Sequence, residues 1–527
     1  MSVPSGNSIL DNTVQERLRI DMEITEIDAR IFELRLARAA LRKRRNSLAQ
    51  VSRLSQDVFR SIFEEVRAGI EPDIDQQEIF PFSNPRKLKS QFPWIRALTH
   101  VCSQWRELAL STPTLWTRIF LGNSKLATEM LIRSQAAPIS IIVPAGADVQ
   151  PASRLLVQEA LQDHLHRAKH LDLCLPYRRY EEFVTPILQS KPAPNLLEVC
   201  SLGVSFLLSS EPDMDLPVDL LVDSARSLRH LSLDLCVFPL KRLNTHVSFS
   251  SLSSLQVKNG TTRCAELLDF VSLPIPCSLH IITWGPANSL SDYSSLWPSV
   301  RRFWEDSPDK EPRSLAIGPL DANVYAPTYT HELRMTFWDR DPINGTLAIQ
   351  LSHLPFSFPE VSNMFISFLS LVPLHHMTHL TVNCVFQDTF WAYVGNSCRQ
   401  ITHLRIGVSN LDTILGTVHI RGQLRFAGTG DGITLNSLER EEALSAIPVR
   451  LPELVSVTFT VMRMPVEHLD RLEECLVVRR LLGKELHSLA FENVIGIEAE
   501  QANDLSRYVK DEILWSYDVD SSSDGDH

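Results

Sequence analysis

The stretch Asp163-His164-Leu165-His166-Arg167-Ala168-Lys169-His170 holds the densest group of possible metal ligands in this chain. On a helix, His166 and His170 would share a face four residues apart, a spacing that zinc sites use. Arg167 and Lys169 would repel a cation there, and no catalytic glutamate follows in the order a metalloprotease needs. The alternative, which we adopt, is the end of a surface helix. Gly428-Thr429-Gly430-Asp431-Gly432 is glycine-rich but lacks the lysine of a phosphate loop and a clear strand before it, so a turn is expected. A Gly-x-Ser-x-Gly elbow, a paired-carboxylate signature and a dinucleotide fingerprint are all missing from the sequence. These residues predict no catalytic group, no cofactor and no metal, hence a protein that is not an enzyme.

Nine cysteines, at 102, 174, 200, 236, 264, 277, 384, 398 and 475, include no Cys-x-x-Cys pair, and most stand among apolar neighbours. They read as small buried hydrophobes in a reducing compartment, cytoplasm or nucleus. The net charge of −12 opposes a general nucleic-acid or membrane-surface role, which needs a basic footprint. No apolar run is long enough to span a bilayer, and Met1 to Asn12 lacks the layout of a secretory signal. At 527 residues the chain exceeds one compact core, so several domains are expected.

The elements that would position a binding surface begin with a heptad seam. Ile20, Ile24, Ile27, Ile31, Leu34, Leu41 and Leu48 alternate spacings of four and three, with Arg38 and Arg45 at the two remaining seam positions. Two readings stand: a coiled coil that self-associates or takes a partner through 20–34, or a helix folded back on the next domain. The basic run Arg42-Lys43-Arg44-Arg45 reads either as a nuclear import signal or as complement to a helix C-terminus; the second is preferred. Next, Leu54, Val58, Phe59, Ile62, Phe63 and Val66 mark one face of an amphipathic helix, with Ser55 and Asp57 suited to cap its start. Gly69 to Pro93 carries four prolines and no period, which predicts a loop or insertion. Ile95, Leu98, Val101, Cys102, Trp105, Leu108 and Ala109 make a second helical stripe, stopped by Pro113. Leu115 to Ile119 then turns back as an extended or short helical piece.

Leu54, Asp57, Val58, Phe59, Ile62 and Phe63, then Val101-Cys102-x-x-Trp105-Arg106-x-Leu108-Ala109, then Pro113-x-Leu115-Trp116 resemble an F-box. The resemblance is to the F-box-like proteins of mushroom-forming fungi, and with the preceding heptad helix it covers about residues 14 to 121. The chain departs from that pattern at Ser55, where the family prefers proline, at Asp57 for glutamate, and in its long middle segment. What the resemblance implies is a substrate-recognition subunit of a cullin-based ubiquitin ligase, docked on a Skp-family adaptor. It points to Leu54, Val58, Ile62, Phe63, Val101, Trp105, Leu108, Leu115 and Trp116 as the adaptor face, with core packing as the competing role for each. Ser55 and the insertion also leave open a binding scaffold with this fold that does not contact the adaptor.

Past Ala168 a pattern of apolar, two variable, apolar, one variable, apolar returns. It is seen as Leu197-x-x-Cys200-x-Leu202, Leu228-x-x-Leu231-x-Leu233 and Leu252-x-x-Leu255-x-Val257. Further copies are Leu279-x-x-Ile282-x-Trp284, Met377-x-x-Leu380-x-Val382, Ile401-x-x-Leu404-x-Ile406, Leu454-x-x-Val457-x-Phe459 and Leu486-x-x-Leu489-x-Phe491, with a looser one at Ala168 to Leu173. Short strands that point alternate residues inward and stack side by side would bury a continuous apolar column. The array resembles an irregular leucine-rich-repeat-like α/β solenoid, against the alternative of an unrelated α/β domain. The expected class is α+β and multi-domain, the repeat domain holding an unknown target protein. Glu332–Trp338 and 346–351 alternate about a turn and predict an inserted hairpin over 331–351; Val418 to Phe426 suggests a second. The expected boundaries are an irregular 1–13, a heptad helix over 14–50, an F-box-like domain over 51–121 with its insertion at 69–93, repeats over 122–510, and an acidic tail over 511–527.

Overall fold

A computed structural model of the chain describes residues 7–70, 92–144, 151–190, 194–204, 214–215, 218–237, 246–274, 277–283, 293, 295–305, 314–318, 332–338, 347–352, 358–383, 386–407, 451–460, 464 and 466–516. Residues 71–91 of the expected insertion, the 418–426 hairpin, the 428–432 glycines and the tail beyond Ser516 lie outside these residues; a helix over Gln56–Ile70 takes the insertion's first two residues and one over Pro93–Thr99 its last. The architecture is α+β, in two compact units, Met1–Ser140 and Ile141–His527.

The first unit opens on α1 (Asn7–Ser47), a single 41-residue helix. From Thr13 to Arg45 its side chains all face solvent, Ile24 at 51%, Ile27 at 58% and Leu34 at 58% exposure among them. The helix therefore does not fold back on its neighbour, and it starts at Asn7, within the stretch expected to be irregular. Arg44 and Arg45 occupy its last turn, where positive charge complements the helix dipole.

Helix α2 (Gln56–Ile70) follows, with Ser55 as its cap: the Ser55 hydroxyl accepts from the Val58 amide at 3.4 Å. The single stripe expected over 95–109 is instead two helices, α3 (Pro93–Thr99) and α4 (Ser103–Leu110). The break has local causes. Thr99 folds its hydroxyl onto the Ile95 carbonyl at 2.6 Å, and Cys102 takes extended backbone (φ −156°), its sulfur accepting from the Trp105 amide at 3.5 Å. The Arg106 guanidinium closes the corner by donating to the Thr99 carbonyl at 2.8 Å. Pro113 starts a 3₁₀ turn (Pro113–Trp116), which leads into strand β1 (Arg118–Phe120). This unit runs past the expected limit at 121. Helix α5 (Ser124–Arg133) buries Ala127, Met130 and Leu131, and its Arg133 lies over the Trp116 ring, 5.3 Å from the centroid. Strand β2 (Ile139–Val143) crosses the boundary between the units.

The second unit begins with α6 (Pro151–His164) and is organised by strands. These are β3 (Ala168–Leu175), β4 (Val199–Val204), β5 (His230–Asp234), β6 (Ser254–Asn259), β7 (Ser278–Thr283), β8 (Ser314–Gly318), β9 (Glu332–Trp338), β10 (Leu347–Ser352), β11 (His379–Val382), β12 (His403–Ile406), β13 (Ser456–Thr460), β14 (Leu486–Glu492) and β15 (Val509–Ser516). They hydrogen-bond in the order β3-β4-β5-β6-β7-β10-β9-β8-β11-β12-β13-β14-β15, an open sheet and no closed barrel. Neighbours are parallel except at β9, which pairs antiparallel with both β8 and β10. Parallel neighbours require a crossover, and helices supply it. Examples are α7 (Val218–Ser224), α8 (Thr261–Phe270), α9 (Asp388–Ser397), α10 (Val466–Leu481) and α11 (Ala499–Asp504).

The register carries the apolar pattern straight across the sheet. Leu171, Cys200, Leu231, Leu255 and Leu279 align in one row, and Leu173, Leu202, Leu233, Val257 and Ile281 in the next. Every one of these side chains is buried. The Leu279 alignment corrects one repeat: the residue in register with Leu255 is Leu279 rather than Ile282, because the adjacent isoleucines at 281 and 282 blur the alternation. Three strands carry the register without an expected copy. Leu315 aligns with Leu380, Leu347 with Leu279, and Ile513 with Leu489. The strands of the 331–351 hairpin are β9 and β10, which pair antiparallel and lie inside the sheet. Strand β15 moves the end of the sheet to Ser516, six residues past the expected limit of 510. Its acidic residues mislead because Asp511 and Glu512 point to solvent while the alternation beneath them continues. Among the described residues, no helix is long and apolar enough to cross a membrane.

Candidate partner-docking site

Helix α2 carries two apolar stripes side by side. Phe59 and Phe63, four residues apart, are 1% and 0% exposed, and both rings pack on Trp105, at centroid distances of 5.6 and 5.2 Å. Rotated by one residue, Val58 and Ile62 stand in solvent at 44% and 36% exposure, with Leu54 at 39% just before the helix. An i, i+4, i+8 ridge of this kind is the form in which a helix offers an apolar face to a partner. Its surroundings are polar: Asp57 pairs with Arg60 at 2.8 Å, and Ser61, Glu64 and Glu65 are exposed.

What holds the ridge in place is the aromatic core behind it. Trp116 is buried and donates its indole N–H to the Ala109 carbonyl at 2.8 Å. Trp94 stands edge-on to it at 5.3 Å, a favoured aromatic geometry. At the far end of α2, Arg67 donates to the Thr114 carbonyl and to the Thr117 hydroxyl, the latter at 3.1 Å, and Glu64 accepts from the Thr114 hydroxyl at 2.5 Å. These bonds fasten α2 to the 3₁₀ turn.

The nine expected contact residues therefore divide. Leu54, Val58, Ile62 and Val101 (55% exposed, in the α3–α4 corner) can be touched from outside. Trp105 is half-buried. Phe63, Leu108, Leu115 and Trp116 are interior, from 0% to 7% exposed, so their role is to hold the scaffold. Trp94 was missed by the sequence pattern, though tryptophans at 94, 105 and 116 recur every eleven residues, close to three helical turns.

In the second unit, the side of the sheet away from its leucines carries Asp172, Ser201, Ser232, Gln256 and His280 in one aligned row, of which Ser232 and Gln256 are buried and the other three half-buried. Asp234 and Lys258, also aligned, form an ion pair at 2.9 Å with 18% and 25% side-chain exposure. Burial pushes the Asp234 carboxyl above its usual range, and Lys258 opposes that shift. Farther along, the His379 and His403 rings stack at 4.3 Å and 5°, and each Nδ1 is bonded to the hydroxyl of the preceding threonine. Desolvation lowers the His379 pKa, and the neighbouring His403 lowers it further. Tyr180, in a π-wound turn (Tyr180–Val184), donates its hydroxyl to the carbonyls of Leu173 and Gly203 at 2.8 and 3.0 Å, tying β3 to β4.

The histidine cluster takes another form than a shared helix face. Helix α6 ends at His164, His166 sits in a 3₁₀ turn, and His170 lies on β3. Among the described residues, no group of three His, Cys, Asp or Glu side chains is placed to hold a metal ion. The thiols of Cys200, Cys264, Cys398 and Cys475 are buried, and burial pushes each pKa up to about 12, which makes them poor nucleophiles. In comparisons with known proteins, no family model matches this chain and no curated protein is significantly similar to it.

Proposed function

We propose that this protein is a non-catalytic substrate-recognition subunit of a cullin-based ubiquitin ligase. The helical unit docks on a Skp-family adaptor, and the strand-rich unit, an irregular leucine-rich-repeat-like solenoid, holds a target protein. The observation that carries this is the exposed Leu54–Val58–Ile62 ridge, set on helices whose aromatic core already satisfies their folding. Nothing in the packing of the unit requires those three side chains in water, whereas a docking partner does. The adaptor face shrinks accordingly to Leu54, Val58, Ile62, Val101 and the half-buried Trp105.

Capture of the full-length protein by purified Skp-family adaptor tests the proposal. Val58→Glu/Ile62→Glu places two charges on the ridge, and it should abolish capture while leaving the thermal midpoint within a few degrees of the parent. Absence of capture by the parent chain would sink the ligase assignment and leave a scaffold of the same fold.

A further inference from the structure

We infer that α1 associates with α1 of a second copy of this chain as an antiparallel two-stranded coiled coil. Helix α1 is exposed on every side from Thr13 to Arg45, so its seam of Ile20, Ile24, Ile27, Ile31, Leu34 and Leu41 has no cover among the described residues. A lone helix with an apolar seam gains little in water, and burying that seam against a like helix is the usual resolution.

Charge selects both the occupant and its direction. With Ile24 and Ile31 at heptad position a and Ile20, Ile27, Leu34 and Leu41 at d, the flanking positions e and g are acidic in the first half and basic in the second. They are Asp21, Glu23 and Asp28, then Arg30, Arg35, Arg42 and Arg44. In a parallel dimer, g meets the following e of the partner: Glu23 would face Asp28 and Arg30 would face Arg35, both repulsive. Arg38 would also meet its own copy in the seam. Reversing one helix removes these conflicts. When Ile24 lies opposite Leu41 and Ile31 opposite Leu34, Asp21 falls beside Arg42, Asp28 beside Arg35, and Glu23 beside Arg44. Each of these is an opposite-charge pair that occurs twice by symmetry. Arg38 and Arg45 then lie across from Ile27 and Ile20, where their aliphatic stems cover the isoleucines and their charged ends reach water. Phe32 and Leu36 lie off the seam and stay exposed.

The full-length chain tests this with little risk to its folding, because α1 packs on no other described element along that length. Light scattering after gel filtration should give about twice the chain mass of 59.6 kDa. Asp21→Arg/Glu23→Arg/Asp28→Arg and Arg35→Glu/Arg42→Glu/Arg44→Glu should each run as monomers, and mixing the two should restore the dimer. Direction is read from nitroxides carried on unnatural side chains at Met22 or at Phe32. In the antiparallel pair the Met22 labels separate by about 32 Å along the axis and the Phe32 labels by only about 2 Å, at 1.5 Å rise per residue. A monomeric or tetrameric parent, undiminished dimers in the charge-reversed variants, failure of the mixture to restore the dimer, or equal label separations at the two positions would each overturn the inference.

Discussion

The two units treat their apolar residues in opposite ways. In the strand-rich unit the apolar residues that repeat every second position nearly all turn inward: Leu231, Leu233, Leu255, Val257, Leu404 and Ile406 are at most 3% exposed. In the helical unit the apolar content exceeds what the core can hold, and Val58, Ile62, Val101 and the α1 seam remain in water. The difference is one of geometry. A strand has two faces, and a sheet backed by crossover helices gives each leucine one place to go. A helix has a full circumference, so two apolar stripes can be written on it and only one of them buried. Exposed apolar residues thus line up along α1 and α2 in the first unit, while the sheet of the second keeps its apolar rows inside.

The largest break in that comparison is expected at the core of the helical unit. Trp116→Ala removes a buried indole, its bond to the Ala109 carbonyl and its contact with Trp94, and it should cost about 3–5 kcal/mol in urea unfolding. Next comes Arg479 on α10, which is 1% exposed and donates to the Leu451 carbonyl (3.3 and 3.4 Å) and the Leu454 carbonyl (3.2 Å). These bonds pin the turn that precedes β13. Arg479→Ala should cost about 3 kcal/mol, through lost packing and three unmade hydrogen bonds to carbonyls. Cooperative melting of the sheet should show the loss.

Lys258→Met should cost about 2 kcal/mol, since it leaves the Asp234 carboxylate partly buried without its cation. The sign with pH is definite. A carboxyl whose folded pKa is raised destabilises the fold once it is ionised, so the deficit should shrink as pH falls into the carboxylate range. Asp234→Asn/Lys258→Met should recover most of the loss. A smaller effect is expected at His379, whose folded pKa lies below its usual 6.5. The folded state then binds fewer protons than the unfolded one, so stability is complete above pH about 6.5 and declines as pH drops through the folded value. His379→Gln should flatten that decline, read as thermal midpoint against pH. Smallest of all, Val58→Ser/Ile62→Ser on the exposed ridge should shift folding stability by no more than about 0.5 kcal/mol. A larger shift would mean that the ridge is core after all.

Much of the fold can be read directly from residues. The Leu54–Val66 pattern specifies α2, the Ile20–Leu41 seam specifies α1, and the apolar-x-x-apolar-x-apolar copies mark most of the strands. Among the candidate contact residues, the sequence could not separate Val58 and Ile62 from Phe63 and Leu115, because exposed and buried residues there are equally apolar. Cys102 as a helix cap was invisible as well, since a sulfur acceptor leaves no signature in residue type.

The sequence by itself determined the periods, three-and-four in the first unit and two in the second, because side-chain direction follows backbone repeat alone. Only the tertiary structure decided which apolar stripe of α2 faces Trp105, that β9 runs against its neighbours, and that β15 completes the sheet through acidic residues. Those outcomes depend on what stands opposite each element, and a linear pattern carries no record of its neighbours in space.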